Sequence, residues 1–302
     1  KFYNIDFNKI GNEYKMIVDI GKKQVGPSKP CYLIAEIGIN HNGQIDLAKK
    51  LILKAKEAGF DVVKFQKRVP ELCVPKEKRD ELRITPWGNI SYFSYKEKIE
   101  FSKKEYDEID NFCRNIGIQW AASAWDTESV KFLSNYNTPF IKIPSDKSKD
   151  LNFIKAVAKT GSKVIISCGG TSVADLEEAF KILDKKKTIL LQCTSEYPTP
   201  TDRLNLRAMN FLEQKFGLNV GLSSHHTNPM MAAMAVAYGA KAIEVHVTLD
   251  RAMWGTDQAM SLESRGMNIL RKNIREFEIA LGNSDKVLYE KEILTLARTI
   301  EK

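Results

Sequence analysis

The chain has 302 residues, of which 43% are hydrophobic and 28% charged, and its formal net charge is +8 at pH 7. This length allows one large α/β barrel or two smaller domains, and the composition is typical of a globular protein. The absence of any apolar run of about 18 residues argues against a transmembrane helix, and the charged amino terminus argues against a secretory signal. Lysines are scattered along the chain rather than gathered in one block, so nucleic-acid binding is not expected.

The first predicted element is a β-hairpin. Residues 13–26 alternate apolar and polar side chains around Gly21, so we assign residues 1–30 to a hairpin that caps a larger unit. From Tyr32 onward, short apolar runs alternate with segments of helical periodicity. Eight of these runs are predicted strands, in the order YLIAEIG, DVVKFQ, IQWAAS, PFIKIP, KVIISC, TILLQC, LNVGLS and KAIEVHV.

The segments between the strands are predicted helices. Their expected starts lie near capping residues: Asp46, Ser102, Asp126, Asp150, Ser172, Asn205 and Asn228. Eight strand–helix units in about 250 residues predict a closed (β/α)8 TIM barrel over residues 31–302, with an open doubly wound sheet as the alternative. Residues 67–101 contain three prolines and many charges, which predicts a long loop that shapes the substrate pocket rather than a domain. Residues 286–302 predict a last helix packed on the barrel.

Polar side chains interrupt or end most of the predicted strands. The carboxyl ends of barrel strands form the catalytic face, so these side chains are expected to converge there. They are Glu36, Lys64, Gln66, Lys142, Ser145, Ser167, Cys193, Thr194, Ser195, Tyr197, Ser224, His226, Glu244 and His246. Two lysines with several hydroxyls could bind a phosphate and a carboxylate, aided by backbone N–H groups of the CGGTS segment.

A divalent metal is the second prediction for this rim. His226 and His246 could hold the ion while water and a substrate carbonyl take its remaining positions. Each residue also has a structural interpretation: either lysine could pair with buried Glu36 or Glu244 without touching a substrate. His225 should point away from His226, and His41 is expected to orient a loop. No base partner is evident for Cys193, which argues against a cysteine nucleophile.

Several motifs together resemble one family. IAEIGINHNG, VVKFQ, IKIPS, IISCGG, CTSEYPTP, GLSSHHT, EVHVTLDR and GTDQAMSLE resemble, in order, the sialic acid (nonulosonate) synthase family from Cys31 to the final helix. The resemblance implies a TIM-barrel transferase that condenses phosphoenolpyruvate with an N-acylated hexosamine aldehyde, usually N-acetylmannosamine. The product is a nine-carbon 2-keto-3-deoxy acid plus phosphate, and the metal is Mn²⁺ or Mg²⁺. A homodimer in the cytoplasm is also implied, and five dispersed cysteines without a CxxC motif suit a reducing compartment.

The resemblance also implies roles for individual residues. Lys64, Gln66, Lys142, Ser145, Ser167 and Ser224 would bind phosphoenolpyruvate, and His226 and His246 would hold the metal. Glu36 would position the sugar and a water or proton. Tyr197 would lie near the acceptor, Asp257 would contact sugar hydroxyls, and Ser195 replaces the family's CTN asparagine in the substrate site.

Other departures concern the acceptor half of the site. Lys147 stands where relatives have glutamate, His225 stands where the common SDHT motif has aspartate, and Ala124 replaces a threonine. No residue matches the family's carboxy-terminal antifreeze-like domain, so we expect a single-domain member, with TPWGNISYF as a candidate source of acceptor contacts. Lys147 and His225 would suit a more anionic acceptor. The alternatives are therefore a synthase for an unacylated or phosphorylated sugar, or a barrel that binds these ligands without turnover.

Overall fold

The computed structural model describes residues 16–283 and 285–300, with side chains described up to residue 297. Eight parallel strands form a closed barrel in which each strand pairs with the next one along the chain and the last pairs with the first. The barrel strands are β3 (Tyr32–Gly38), β4 (Val62–Lys67), β7 (Gln119–Ala124), β8 (Ile141–Ile143), β9 (Val164–Ser167), β10 (Thr188–Cys193), β11 (Asn219–Ser224) and β12 (Ala242–His246). The predicted (β/α)8 fold is confirmed, and the open sheet is not formed.

Helices surround the barrel and alternate with its strands. They are α1 (Ile45–Glu57), α2 (Pro70–Cys73), α3 (Tyr92–Ile99), α4 (Lys103–Ile116), α5 (Thr127–Leu133), α6 (Leu151–Lys159), α7 (Val173–Ile182), α8 (Ala208–Phe216), α9 (Pro229–Ala237), α10 (Ser264–Ala280) and α11 (Glu290–Ile300). None of the helices in the described residues is long and apolar enough to cross a membrane.

Five of the seven predicted capping residues cap a helix. The side chains of Ser102, Asp126, Asp150, Ser172 and Asn228 accept hydrogen bonds from backbone N–H groups of the first helical turn. The start near Asn205 is wrong, because α8 begins three residues later. Asn205 has a left-handed backbone (φ 47°), which does not suit the extended conformation of an N-cap.

The predicted hairpin closes the end of the barrel opposite the carboxyl ends of the strands. It consists of β1 (Val18–Ile20) and β2 (Lys23–Val25), which pair antiparallel. Val18, Ile20 and Val25 are buried in one cluster with inward-facing residues at the amino-terminal part of the barrel. Residues 1–15 of the predicted cap lie outside the described residues.

The insertion at residues 67–101 has more regular structure than predicted. Besides α2 and α3 it contains an antiparallel hairpin, β5 (Leu82–Thr85) and β6 (Gly88–Ser91). The segment is a βα insertion as predicted, although it contains short helices and a hairpin of its own. Tyr95 and Ile99 of α3 are buried with Ile39 and pack against Trp254, which anchors the insertion over the carboxyl end of the barrel.

The last helix forms as predicted, but its side chains up to residue 297 do not pack on the barrel. The described side chains of α11 are exposed, including Ile293, Leu294 and Leu296. The helical period of this segment is therefore visible in the sequence, whereas its apolar face finds no partner within the described residues.

Candidate functional site

A cavity of about 460 Å³ opens at the carboxyl ends of the barrel strands. Cavities of this size accommodate small-molecule substrates. Most of the predicted site residues line it: Glu36, Lys64, Gln66, Lys142, Ser145, Ser167, Ser195, Tyr197, His246 and Asp257. The expected convergence on one rim is therefore observed for these residues, and it fails for Thr194, Ser224 and His226.

Lys64 lies at the centre of a buried charge network. Its Nζ is 2.7 Å from Glu36 Oε2 and 3.7 Å from Glu244 Oε2, and it donates a hydrogen bond of 2.8 Å to Ser123 Oγ. Burial raises the pKa of Glu36 to about 7, although Lys64 opposes that rise. Burial would also raise the pKa of Glu244, but Lys142 and Lys64 lower it to about 2. The pKa values of these two carboxyl groups are thus shifted in opposite directions, which is typical of sites that transfer protons.

Replacing Glu244 by glutamine is expected to lower the free energy of unfolding by about 3 kcal/mol at pH 7. The folded-state pKa is depressed from 4.5 to about 2, so the carboxylate contributes its full stability above pH 4.5. That contribution disappears as the pH falls through this window, so the two proteins should converge near pH 2. Urea unfolding between pH 2 and 7 measures this difference.

Glu178→Gln is the control for this prediction. Glu178 forms an exposed pair with Lys181, so its replacement should change the free energy of unfolding little. Equal losses in both variants would contradict the prediction.

Lys142 and the neighbouring hydroxyls form a separate part of the rim. Lys142 Nζ donates a 2.6 Å hydrogen bond to Ser167 Oγ and lies 3.8 Å from Glu244 Oε1. Burial lowers the pKa of this lysine. The Gly169 N–H donates to Ser145 Oγ at 3.0 Å, and a Cβ at Gly169 would overlap Ser195 Oγ. A glycine is therefore needed for the backbone to approach this close, and the result is a cluster of donors suited to a phosphate.

The expectation that His226 faces the cavity is wrong, because its neighbour His225 faces the cavity instead. Ser223 and His225 line the cavity, whereas Ser224 and His226 do not. Val220 and Leu222 of β11 pack in the outer core, between strands and helices, so the alternate positions of the strand must face inward. His226 instead bonds Thr201 Oγ1 at 3.0 Å and accepts from the Asn228 N–H at 2.9 Å. It stabilises the start of α9 rather than the cavity.

His225 and His246 therefore form the imidazole pair of the site. Their ring centroids are 5.3 Å apart, and Tyr197 lies 4.1 Å from His225. His225 Nδ1 lies 3.1 Å from the Thr194 carbonyl oxygen. Burial lowers the pKa of His225, but its interaction with the neighbouring Cys193 thiol raises it overall, and the same interaction lowers the pKa of Cys193 despite burial. Cys193 thus has an imidazole partner, contrary to the prediction.

The two imidazoles fit a divalent metal as a pair with open positions. His246 Nδ1 is buried without a hydrogen-bond partner and lies 3.7 Å from Asp257 Oδ2. Burial lowers the pKa of His246 to about 4, so its ring is neutral at pH 7, as a ligand must be, whereas His225, whose pKa is raised, would bind a metal in competition with a proton. In the part of the chain that the structure describes, no group of three or more His, Cys, Asp or Glu is arranged to hold a metal. Any ion here would take its other ligands from water or substrate.

Other lining residues were not predicted. Arg68 continues the alternation of Lys64 and Gln66 just beyond β4, so the period of two could have identified it. Lys96 reaches the cavity from α3, and no strand pattern indicates it. Lys147 does not line the cavity; its Nζ lies 3.7 Å from Asp150 instead. His41 is buried, stacks on Phe101 at 3.9 Å and accepts from the Gly43 N–H, which confirms its loop-orienting role.

Comparison with known proteins agrees with this geometry. The model of the NeuB family matches residues 51–286. N-acetylneuraminate-9-phosphate synthase of Mus musculus is 36% identical over 269 residues, which cover 87% of this chain and 75% of the relative. N,N'-diacetyllegionaminic acid synthase of Campylobacter jejuni is 36% identical over 265 residues, covering 85% and 79%. The structure of an N-acetylneuraminic acid synthetase from Leptospira borgpetersenii superposes with a TM-score of 0.85 at 28% identity, covering 95% of this chain and 98% of that one.

The fold, the rim and these relatives define a (β/α)8-barrel synthase that forms C–C bonds. The chain belongs to the NeuB family. The predicted family and the predicted class of enzyme are therefore confirmed.

Proposed function

We propose that the protein condenses phosphoenolpyruvate with the aldehyde of an N-acyl hexosamine, such as N-acetylmannosamine. The products would be a nine-carbon 2-keto-3-deoxy acid and phosphate. The observation that carries the proposal is the buried network of Lys64, Lys142, Glu36 and Glu244 at one rim. The two lysines suit an anionic substrate. The two carboxyl groups, whose pKa values are shifted in opposite directions, suit a reaction that moves a proton. Relatives named as synthases of sialic and legionaminic acids support the same reaction class.

The residues divide between the two substrates. Lys142, Ser145 and Ser167 would bind the phosphate of phosphoenolpyruvate, and Lys64 with Gln66 would hold its carboxylate. In the reaction, C3 of phosphoenolpyruvate forms a bond to the aldehyde carbon, and water adds at C2. The bond between C2 and the bridging phosphate oxygen then breaks, so that phosphate leaves and C2 becomes the keto carbon. The two protons of the water end on the former aldehyde oxygen and on the phosphate. Glu36, with its pKa near 7, is placed to accept or return a proton.

A divalent metal, Mn²⁺ or Mg²⁺, belongs to this proposal. His225 and His246 would hold it, and when bound it would supply Lewis-acid polarisation of the aldehyde oxygen. Tyr197, beside His225, and Asp257, beside His246, would orient the acceptor through its ring face and hydroxyls.

Phosphate release tests the function directly. We expect release only when phosphoenolpyruvate, a divalent metal and an amino-sugar aldehyde are all present. A panel of N-acylated, unacylated and phosphorylated hexosamines, each without and with Mn²⁺, should show which acceptor is used. The absence of release with every aldose, in a protein that is folded by circular dichroism, would overturn the enzymatic proposal.

The setting of the enzyme is proposed more briefly. All five cysteines of the chain are free thiols, which suits a reducing compartment such as the cytoplasm. A homodimer, implied by the family resemblance, stays a prediction that sedimentation would test.

A further inference from the structure

Two buried cations line the cavity on the side of the insertion. Arg68 follows β4, and Lys96 comes from α3; their exposed fractions are 6% and 9%. The Arg68 guanidinium stacks 4.6 Å from the Trp125 ring centroid, and Lys96 Nζ lies 5.2 Å from the centroids of both Tyr92 and Tyr95. These aromatic contacts hold the two cationic groups without neutralising them.

The carboxylates nearby do not balance this charge. Glu100 is engaged by Lys67, whose Nζ is 2.6 Å from Oε1, and its Oε2 is 3.8 Å from Arg68 Nε. Arg68 Nη2 donates a hydrogen bond to Gln66 Oε1, whereas Arg68 Nε makes no hydrogen bond. Among residues 16–283 and 285–297, Lys96 Nζ forms neither an ion pair nor a hydrogen bond. An unpaired buried ammonium is costly, and here burial lowers the pKa of Lys96 to about 7. Such a group is typical of a site that awaits an anion.

The anions of phosphoenolpyruvate already have partners elsewhere on the rim. Lys142, Ser145 and Ser167 form the donor cluster at the ends of β8 and β9, and Lys64 lies at the centre of the barrel mouth. Arg68 and Lys96 are therefore left for the other reactant. Asp257, the remaining carboxylate on that side, is exposed by 17% and is placed to bind sugar hydroxyls.

We propose that Arg68 and Lys96 form a second anion subsite, which binds a phosphate monoester carried by the amino-sugar acceptor. This inference rests on the proposed condensation and adds the chemical class of its acceptor. An arginine fork beside a lysine point charge is well suited to a phosphate monoester. The cavity of about 460 Å³ has room for both small substrates.

The test compares Lys96→Met with Lys98→Met, a matched change on the exposed side of the same helix. Steady-state phosphate release is measured with one N-acyl hexosamine and with its 6-phosphate ester. The unmodified enzyme should have the lower KM for the ester. Lys96→Met should raise that KM by about 10- to 100-fold, the loss expected for one charge-assisted contact. The KM values for phosphoenolpyruvate and for the unphosphorylated sugar should stay within about twofold, and Lys98→Met should change none of them.

A thermal unfolding scan separates this role from a structural one. Because Lys96→Met removes an unpaired buried charge, its Tm should equal or exceed that of the unmodified protein. Preference for the unphosphorylated sugar, an equal rise in KM for both sugars, or a rise confined to phosphoenolpyruvate would each overturn the subsite.

Failure of the proposed reaction would be recognised separately, as no phosphate release with any acceptor. Calorimetric titration of the sugar phosphate into the unmodified protein and the Lys96→Met variant would then decide the subsite alone. Binding that the variant loses would support it, and absent or unchanged binding would overturn it.

Discussion

Replacing His225 or His246 by alanine is expected to lower kcat/KM for the condensation by about 10³-fold, which corresponds to about 4 kcal/mol of transition-state stabilisation. Both rings line the cavity with centroids 5.3 Å apart. Each substitution would remove one of the two protein ligands to the proposed metal. The measurements are phosphate release after chelation and titration with Mn²⁺, and Mn²⁺ binding followed by electron paramagnetic resonance.

His226→Ala is the matched control, because it removes an imidazole one residue away and outside the cavity. It should keep kcat/KM within a few-fold and lose only about 1 kcal/mol of stability, from the contacts to Thr201 and Asn228. If His226→Ala abolished Mn²⁺-dependent activity while His225→Ala kept it, the assignment of His225 as the histidine that faces the cavity would be contradicted.

Lys142→Met is expected to reduce kcat/KM for phosphoenolpyruvate by about 10³-fold, mainly through a higher KM. The variant keeps the volume of the side chain but removes the ammonium that bonds Ser167 and faces Glu244. A phosphate held by the remaining hydroxyls would lose its charge partner in a buried site. Kinetics at varied phosphoenolpyruvate, together with calorimetric binding, measure the effect.

Lys147→Met provides the comparison, since Lys147 follows the same strand but pairs with Asp150 outside the cavity. It should leave the KM for phosphoenolpyruvate unchanged. Similar KM values for Lys142→Met and the unmodified enzyme would show that this lysine only balances Glu244, the structural interpretation that the sequence left open.

The fold could be predicted from the sequence because its main signals are local. Apolar strands alternate with segments of helical periodicity eight times, and such units pack in only a few ways. The predicted helix start near Asn205 is the exception. Asn205 has a left-handed backbone, and α8 begins three residues later. The insertion was harder, because prolines and charges concealed the short hairpin of β5 and β6.

The site was predicted well on strands where polar and apolar residues alternate, because the alternation shows which side chains face inward. Lys64 with Gln66 and Glu244 with His246 alternate with apolar neighbours, and all four line the cavity. In GLSSHH, two serines precede two histidines, so the motif itself does not show which member of each pair faces inward. The outward packing of Val220 and Leu222 decides it.

The sequence by itself determined the barrel and its polar rim, since both follow from residue types repeated at short, regular spacing, and its motifs resemble those of one family. Only the tertiary structure decided that His225 rather than His226 faces His246, because that choice depends on which side of β11 the helices cover. It alone also placed Lys96 beside Arg68. These residues are distant in the chain, and their shared cavity arises from the packing of α3 over the barrel, which no local pattern encodes.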